Sequence, residues 1–284
     1  MRKNAANNKV LKIVSKGGLV WTMDAWLTGN LDVVLNKAIP NKWDCLSVIF
    51  GGEGSGKSTI AAQICKYLDP NFSLDNVIFR AEDFEKAVND AKPETAILWD
   101  EAITGATAVN QGSKISKIII ELITQIRFKK LKIILCFPYY DMLQKYFVKR
   151  CLFSIYVYAT AFDKRGYFMF YTKTQSEFLY NVMKEKFKYS YKGAIKTATH
   201  GFKGFFTSYF PLDTKSYEEK KDDHRTNNII EKNIKRICTH YYKARLKSKD
   251  WRCSRCGKIV FKNPFYVGVE FENDKETAKK KNEN

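Results

Sequence analysis

The chain has 284 residues, 45% of them hydrophobic and 28% charged, which excludes a disordered or fibrous protein and allows one large or two modest domains around a buried core. Its formal charge of +19 points to a polyanionic partner, and no window approaches the ~18 consecutive apolar residues of a membrane span. Seven cysteines form an odd set without a disulfide framework, and the first residues lack the roughly 7–15 apolar positions of a secretory leader. A reduced, cytoplasmic protein without membrane contact is expected.

In chain order, residues 1–44 are expected to pack as a prefix on the core. Helical spacing is read at Leu19, Met23, Trp26, Leu27 and Leu31, ending near Pro40, which disfavours helix in the residue before it. The core, residues 45–172, alternates short apolar runs with amphipathic stretches. Runs at 45–50, 76–79, 96–99, 131–137 and 152–158 are apolar on both faces and predict buried parallel strands. Stretches at 57–68, 81–91, 113–127 and 139–149 predict crossover helices between them. The expected fold class is α/β, a central and mostly parallel sheet flanked by helices.

After Lys164 this rhythm is lost. A turn at Arg165-Gly166 leads into an apolar run at 167–171, and a change of domain is expected near residue 173. A basic-aromatic connecting segment, 173–216, then precedes a basic appendage, 217–272, with a charged helix from about Lys215 to Leu246. Residues 273–284 have the polar, lysine-rich composition of a frayed tail.

The sequence Gly51-Gly52-Glu53-Gly54-Ser55-Gly56-Lys57-Ser58 satisfies G-x-x-x-x-G-K-[ST] at every defined position, directly after an apolar strand and leading into an amphipathic helix with Ile60, Ala61, Ile64 and Leu68 on its apolar face; Thr59 joins the nucleotide-binding residues. Glycines let successive backbone N–H groups converge on a phosphate, and the helix N-terminus adds its positive dipole. Lys57 is expected to reach the β and γ phosphates, and Ser58 to ligate Mg²⁺. The second motif is Ala96-Ile-Leu-Trp-Asp100-Glu101, an apolar strand delivering two acids at its C-terminal end, where open parallel sheets place their ligand crevices. Asp100 is expected to hold the magnesium water shell, and also suits a helix N-cap. Glu101 is expected to polarise a water for attack on the γ-phosphate. Asn41-Lys-Trp-Asp44 spells a guanine signature but follows no apolar strand, so ATP rather than GTP is the expected nucleotide.

Helix, strand and helix fit between Lys57 and Asp100, and a Glu stands beside the Asp; both mark the additional-strand, catalytic-glutamate class of P-loop ATPases. Glu53-Gly-Ser-Gly-Lys-Ser, Trp99-Asp-Glu-Ala102, and Ile126-Arg127 followed by Lys132-Ile-Ile-Leu-Cys-Phe-Pro138 give residues 45–172 a resemblance to the FtsK–HerA division of that class. The likeness is strongest to its Zot-like and viral packaging-type ATPases. Relatives carry a polar sensor at the end of the strand after the acidic pair. Here that strand ends Cys136-Phe137-Pro138-Tyr139, with Tyr139 as the substitute. The resemblance implies a ring-shaped homo-oligomer in which an arginine from a neighbouring subunit completes each site, with Arg127 and Arg150 as candidates. It also implies a DNA translocase or packaging motor. A nucleotide-switched DNA-binding scaffold is the alternative, and a small-molecule kinase is disfavoured by the Asp-Glu pair.

From Lys164 onward 28 Lys+Arg stand against 14 Asp+Glu, which places 14 of the 19 excess charges there. A nucleic-acid partner, double-stranded DNA first, is the expected use of such asymmetry, with plain surface solubility as the alternative. Lys192, Lys196 and Lys203 interleave with Tyr191, Phe202, Phe205, Phe206, Tyr209 and Phe210, which suits either a nucleic-acid platform or a packing segment. Cys253-Ser-Arg-Cys256-Gly257 spells a zinc knuckle. With Cys238 and His240 it makes a candidate Cys₃His zinc site, against a redox pair or unrelated buried thiols.

Overall fold

A computed structural model describes residues 11–102, 125–160, 165–185, 191–237, 242–244, 251–253 and 259–260. The chain forms two compact units, one up to Glu219 and one from Lys220. None of the described helices is long and apolar enough to cross a membrane.

The first unit opens with a hairpin, β1 (Leu11–Lys16) and β2 (Leu19–Asp24), paired antiparallel with Leu11 opposite Asp24 and Lys16 opposite Leu19. The helical spacing read at Leu19 and Met23 is therefore a strand. The two-residue turn Gly17-Gly18 has φ of 55° and 76°, the positive values a tight hairpin turn needs. A side chain at Gly17 would place its Cβ 2.3 Å from the Pro70 carbonyl oxygen. Along β2, Trp21 and Met23 are buried and Val20 is exposed, which is strand alternation. Helix begins only at α1 (Ala25–Val33), continued by one π-helical stretch, Val34–Ala38. Asp24 caps it by accepting from the Trp26 and Leu27 amides at 2.9 and 3.0 Å, a cap whose loss costs about 1 kcal/mol.

The central sheet is built from β3 (Cys45–Phe50), β4 (Val77–Ile78), β5 (Ala96–Trp99), β6 (Lys132–Phe137), β7 (Phe153–Tyr158), β8 (Tyr167–Thr172) and β9 (Phe202–Phe205), in the order β4-β5-β6-β3-β7-β8-β9. The five strands β4 to β7 with β3 are parallel, and β8 and β9 add antiparallel at one edge. All six residues of β3 are buried, because both faces of the strand are covered. Leu46, Val48 and Phe50 join the hydrophobic cluster on one face, and Cys45 and Ile49 the cluster on the other. Burying each such side chain contributes roughly 1.5–3 kcal/mol.

Helices α2 (Lys57–Leu68) and α3 (Ala81–Asp90) occupy the first two expected crossovers. Of the helix expected at 113–127, only the last residues are described, and 125–127 are helical. The single helix expected at 139–149 is instead a 3₁₀ turn, Tyr140–Met142, and a separate α4 (Lys145–Arg150). The break falls at Leu143 and Gln144, which are extended; Leu143 is buried and its carbonyl accepts from the Tyr180 hydroxyl at 3.0 Å.

The sheet runs on past residue 173, where a change of domain was expected. Helices α5 (Lys173–Glu185) and α6 (Tyr191–Thr197) lead to β9, which pairs with β8 from Tyr167 opposite Phe205 to Phe170 opposite Phe202. Phe202 stacks on Phe170 at 4.9 Å between centroids, and Tyr209 on Trp21 at 5.8 Å. Phe202 and Tyr209 of the basic-aromatic segment are thus used for packing, while Lys196 and Lys203 stay exposed.

The last helix, α7 (Thr214–Ile237), begins in the first unit and stops short of the expected Leu246. In the second unit, β10 (Tyr242–Ala244), β11 (Trp251–Cys253) and β12 (Ile259–Val260) form a three-stranded antiparallel sheet in that order.

Candidate active site

The nucleotide loop follows β3 at the C-terminal edge of the sheet and ends in α2. Gly51, Gly54 and Gly56 have φ of 150°, 66° and 98°, so the path from strand to helix uses backbone that only glycine adopts cheaply. The loop is also tightly seated. Gly51 donates to the Phe137 carbonyl, and a Cβ there would lie 2.1 Å from the Val157 carbonyl oxygen. By contrast a Cβ on Gly52 or Gly54 would meet nothing within 4 Å, so the outer face of the loop is open. Lys57 Nζ donates to the carbonyls of Gly51 and Gly52 at 2.9 and 2.8 Å, which fixes the ammonium at the mouth of the loop. The Ser55 hydroxyl is buried in the loop with no hydrogen-bond partner among the described residues.

Strand β5 delivers Asp100 and Glu101 beside this loop. The Ser58 hydroxyl lies 3.1 and 3.0 Å from the two Asp100 carboxylate oxygens, which brings the two motifs into one site. Between the loop strand β3 and the acidic strand β5 lies β6, the additional strand, as the sequence class requires. Asp100 is buried, and its amide donates to the Ile78 carbonyl. Glu101 is half-buried with φ of 58°, a left-handed conformation that costs a non-glycine residue roughly 1–2 kcal/mol. Strain of this kind concentrates at functional sites. Thr59 is half-buried in the first turn of α2 and Glu53 is exposed on the loop.

Two side chains to which the sequence assigned no site role also reach Asp100. The side chain that β6 brings there is the Cys136 thiol, which hydrogen-bonds to the carboxylate; burial first, then the Asp100 charge, push it well above the usual thiol range, so it remains a thiol. The Tyr217 hydroxyl, in the first turn of α7, donates to Asp100 Oδ2 at 2.5 Å. Burial and then the same charge push its ionisation up, so it stays a donor. No local sequence pattern marks Tyr217 as a site residue.

The fit of a magnesium nucleotide follows from the donors. Ser58 and Asp100 present hard oxygen ligands, the kind Mg²⁺ takes while keeping several waters. The open glycine loop, the α2 N-terminus, Lys57 and the unpartnered Ser55 hydroxyl suit a polyphosphate. These residues fit both groups.

Neither candidate finger arginine lies at this edge. Arg127 is exposed, with its guanidinium 5.9 Å over the Trp43 ring, and Arg150 bonds to Asp44 at 2.9 Å. Trp43 and Asp44 precede β3, so both arginines sit at the other end of a six-residue strand, roughly 20 Å from the loop. A cleft of about 570 Å³ also lies at that far edge, beside Asp69 and Lys132. Lys132 is committed to the Leu68 and Glu94 carbonyls at 2.9 and 2.8 Å, which makes it a structural tie. Among the described residues no group of three or more His, Cys, Asp or Glu could hold a metal. Of the candidate zinc ligands, Cys238, His240 and Cys256 lie outside the described residues, and Cys253 ends β11.

No known protein family matches the sequence, and neither does any curated protein. Among solved structures, the chain is similar to the genome packaging NTPase B204 from Sulfolobus turreted icosahedral virus 2 in complex with ATP-gammaS, at 16% identity over 47% of this chain and 94% of that one, with a TM-score of 0.35. It is similar to the N-terminal domain of zonular occludens toxin from Neisseria meningitidis, at 17% identity over 62% and 97%, TM-score 0.39. A third is the FIGL-1 AAA domain in complex with ADP, at 12% identity over 71% and 87%, TM-score 0.36. The strand order and the loop geometry themselves give this chain the α/β fold of a P-loop NTPase, of the class with an additional strand between the two motif strands.

Proposed function

We propose that this chain is a magnesium-dependent ATPase that moves DNA, a packaging-type translocase working as a ring of identical subunits. The observation that carries the ATPase part is the Ser58 hydroxyl on the Asp100 carboxylate at the mouth of the glycine loop, with Glu101 next in sequence. In this reading residues 51–59 hold the phosphates and Lys57 neutralises them. Ser58 and Asp100 hold Mg²⁺, which would offset charge developing on the γ-phosphate. Glu101 orients and deprotonates the attacking water.

The DNA part is supported by charge. From Lys220 onward 18 Lys+Arg stand against 9 Asp+Glu. Arg127, exposed and stacked on Trp43, is better placed than Arg150, whose guanidinium is ion-paired to Asp44, to serve a neighbouring subunit's site. Double-stranded DNA is expected to stimulate ATP turnover, with binding whose log K falls with log salt at about 0.9 per neutralised phosphate. Hydrolysis indifferent to DNA, with binding flat between ~50 and ~200 mM salt, removes DNA from the account. DNA-stimulated hydrolysis without strand or triplex displacement supports the nucleotide-switched scaffold instead.

A Cys₃His zinc site of Cys238, His240, Cys253 and Cys256 belongs to the same reading. In its support, Cys253 ends β11, which pairs antiparallel with β12, and Cys256 follows it in sequence at the C-x-x-C spacing of a zinc knuckle. About one zinc per chain is expected by atomic absorption and should be lost in Cys253→Ser; equal metal content in the two proteins ends that assignment.

A further inference from the structure

We propose that Tyr217 is a positioning residue of the magnesium–nucleotide site, acting through Asp100, and that it ties the first turn of α7 to metal occupancy. This rests on the site binding a magnesium nucleotide, as above.

The geometry separates a metal-site role from plain packing. Tyr217 is 2% exposed, and its ring is held between Phe79 and Phe210, with centroids 5.8 and 4.8 Å away. Phenylalanine would fill that space equally well. The buried hydroxyl needs a polar partner to offset its lost hydration, and its partners are Asp100 Oδ2 at 2.5 Å and the Ser58 hydroxyl. Those are the two groups that suit Mg²⁺. A hydroxyl donating to a carboxylate from outside the metal shell fixes the rotamer and the oxygen that the carboxylate offers, and loss of such a partner typically weakens metal binding 10–100-fold.

The backbone around Tyr217 makes the contact a coupling as well as a support. Asp213 caps the turn: its carboxylate accepts from the Ser216 amide at 2.7 Å and its carbonyl from the Tyr217 amide at 3.0 Å. Upstream, Phe206 packs against the place a Gly56 Cβ would occupy, 3.0 Å away, and the Thr207 and Tyr209 carbonyls accept from Gln63 of α2. Residues 206–217 therefore bridge from the loop glycine before α2 to the carboxylate of β5. If metal binding favours the Asp100 rotamer that Tyr217 holds, the docked turn must favour metal by the same factor, since coupling between sites is reciprocal.

The test is Tyr217→Phe, which keeps the ring and removes the donor. Binding of a fluorescent non-hydrolysable ATP analogue is titrated with Mg²⁺ and repeated in EDTA, with amide hydrogen exchange of residues 214–219 followed with and without Mg²⁺ plus analogue. The expected result is a Mg²⁺ half-saturation raised about 10-fold or more, unchanged affinity in EDTA, and loss of the metal-dependent protection that wild type shows at 214–219. Wild-type binding of the magnesium analogue together with an unchanged Mg²⁺ titration in Tyr217→Phe overturns the role of Tyr217 and leaves the nucleotide site standing. Wild type that binds no nucleotide overturns both. A drop in melting temperature with the Mg²⁺ titration unmoved marks the hydroxyl as structural and also overturns the proposal.

Discussion

Glu101→Gln is expected to lower ATP turnover about 100- to 10,000-fold while leaving ATP binding within a few-fold of wild type. The amide keeps the shape of the side chain and abolishes its basicity, so it removes proton transfer without touching the phosphate cradle. That loss corresponds to roughly 3–5 kcal/mol of barrier. Lys57→Ala should give the complementary pattern. It deletes a charged donor fixed at the mouth of the loop by the Gly51 and Gly52 carbonyls, and nucleotide affinity should fall roughly 10- to 100-fold at the outset. Single-turnover hydrolysis alongside equilibrium binding separates the two. A Glu101→Gln protein that turns over at the wild-type rate removes Glu101 from the chemistry, whatever Lys57→Ala does.

The second large effect is expected from the smallest substitution. Gly51→Ala forces a Cβ to within 2.1 Å of the Val157 carbonyl, in a backbone with φ of 150°. Strain and overpacking together cost about 3 kcal/mol or more, which for a unit of this size lowers the melting temperature by roughly 6–12 °C. The clash is with backbone of the adjacent parallel strand β7, which pairs with β3 up to Phe50 opposite Tyr156, so no side-chain rotation relieves it. Gly52→Ala is the control, since its Cβ meets nothing within 4 Å. Equal melting temperatures for the two variants would show that the loop is not seated as described.

How much of this was legible in the sequence depends on what kind of constraint each residue obeys. Strands β3 and β5 and helix α2 fall at the expected bounds, because a glycine loop and an acidic pair punctuate them and their apolar runs are buried on both faces. The N-terminal hairpin carries a pattern that fits helix and strand alike. Leu19, Met23, Leu27 and Leu31 are four apart, and a step of four keeps one face in a strand as well as in a helix. Gly17-Gly18 was the deciding signal. The aromatics at 202–210 are undecidable locally, since their rings meet distant residues: β8 and Trp26 for Phe202, Trp21 for Tyr209, Tyr217 for Phe210 and the Gly56 backbone for Phe206. Tyr217 was invisible as a site residue, standing 117 positions from the carboxylate it serves. Its contact is a product of tertiary folding, with no local pattern to announce it.

Strand β9 lends the sheet a further consequence. With Phe202 laid against Phe170 and the stretch after it closing over α2, the first unit is indivisible at residue 172. A chain cut there would bare the aromatic flank of β8 to water and strip Asp100 of one of its donors, whereas a cut after Glu219 spares both. Proteolysis that nicks between 173 and 216 should therefore abolish the proposed ATP hydrolysis without touching either of the two motifs.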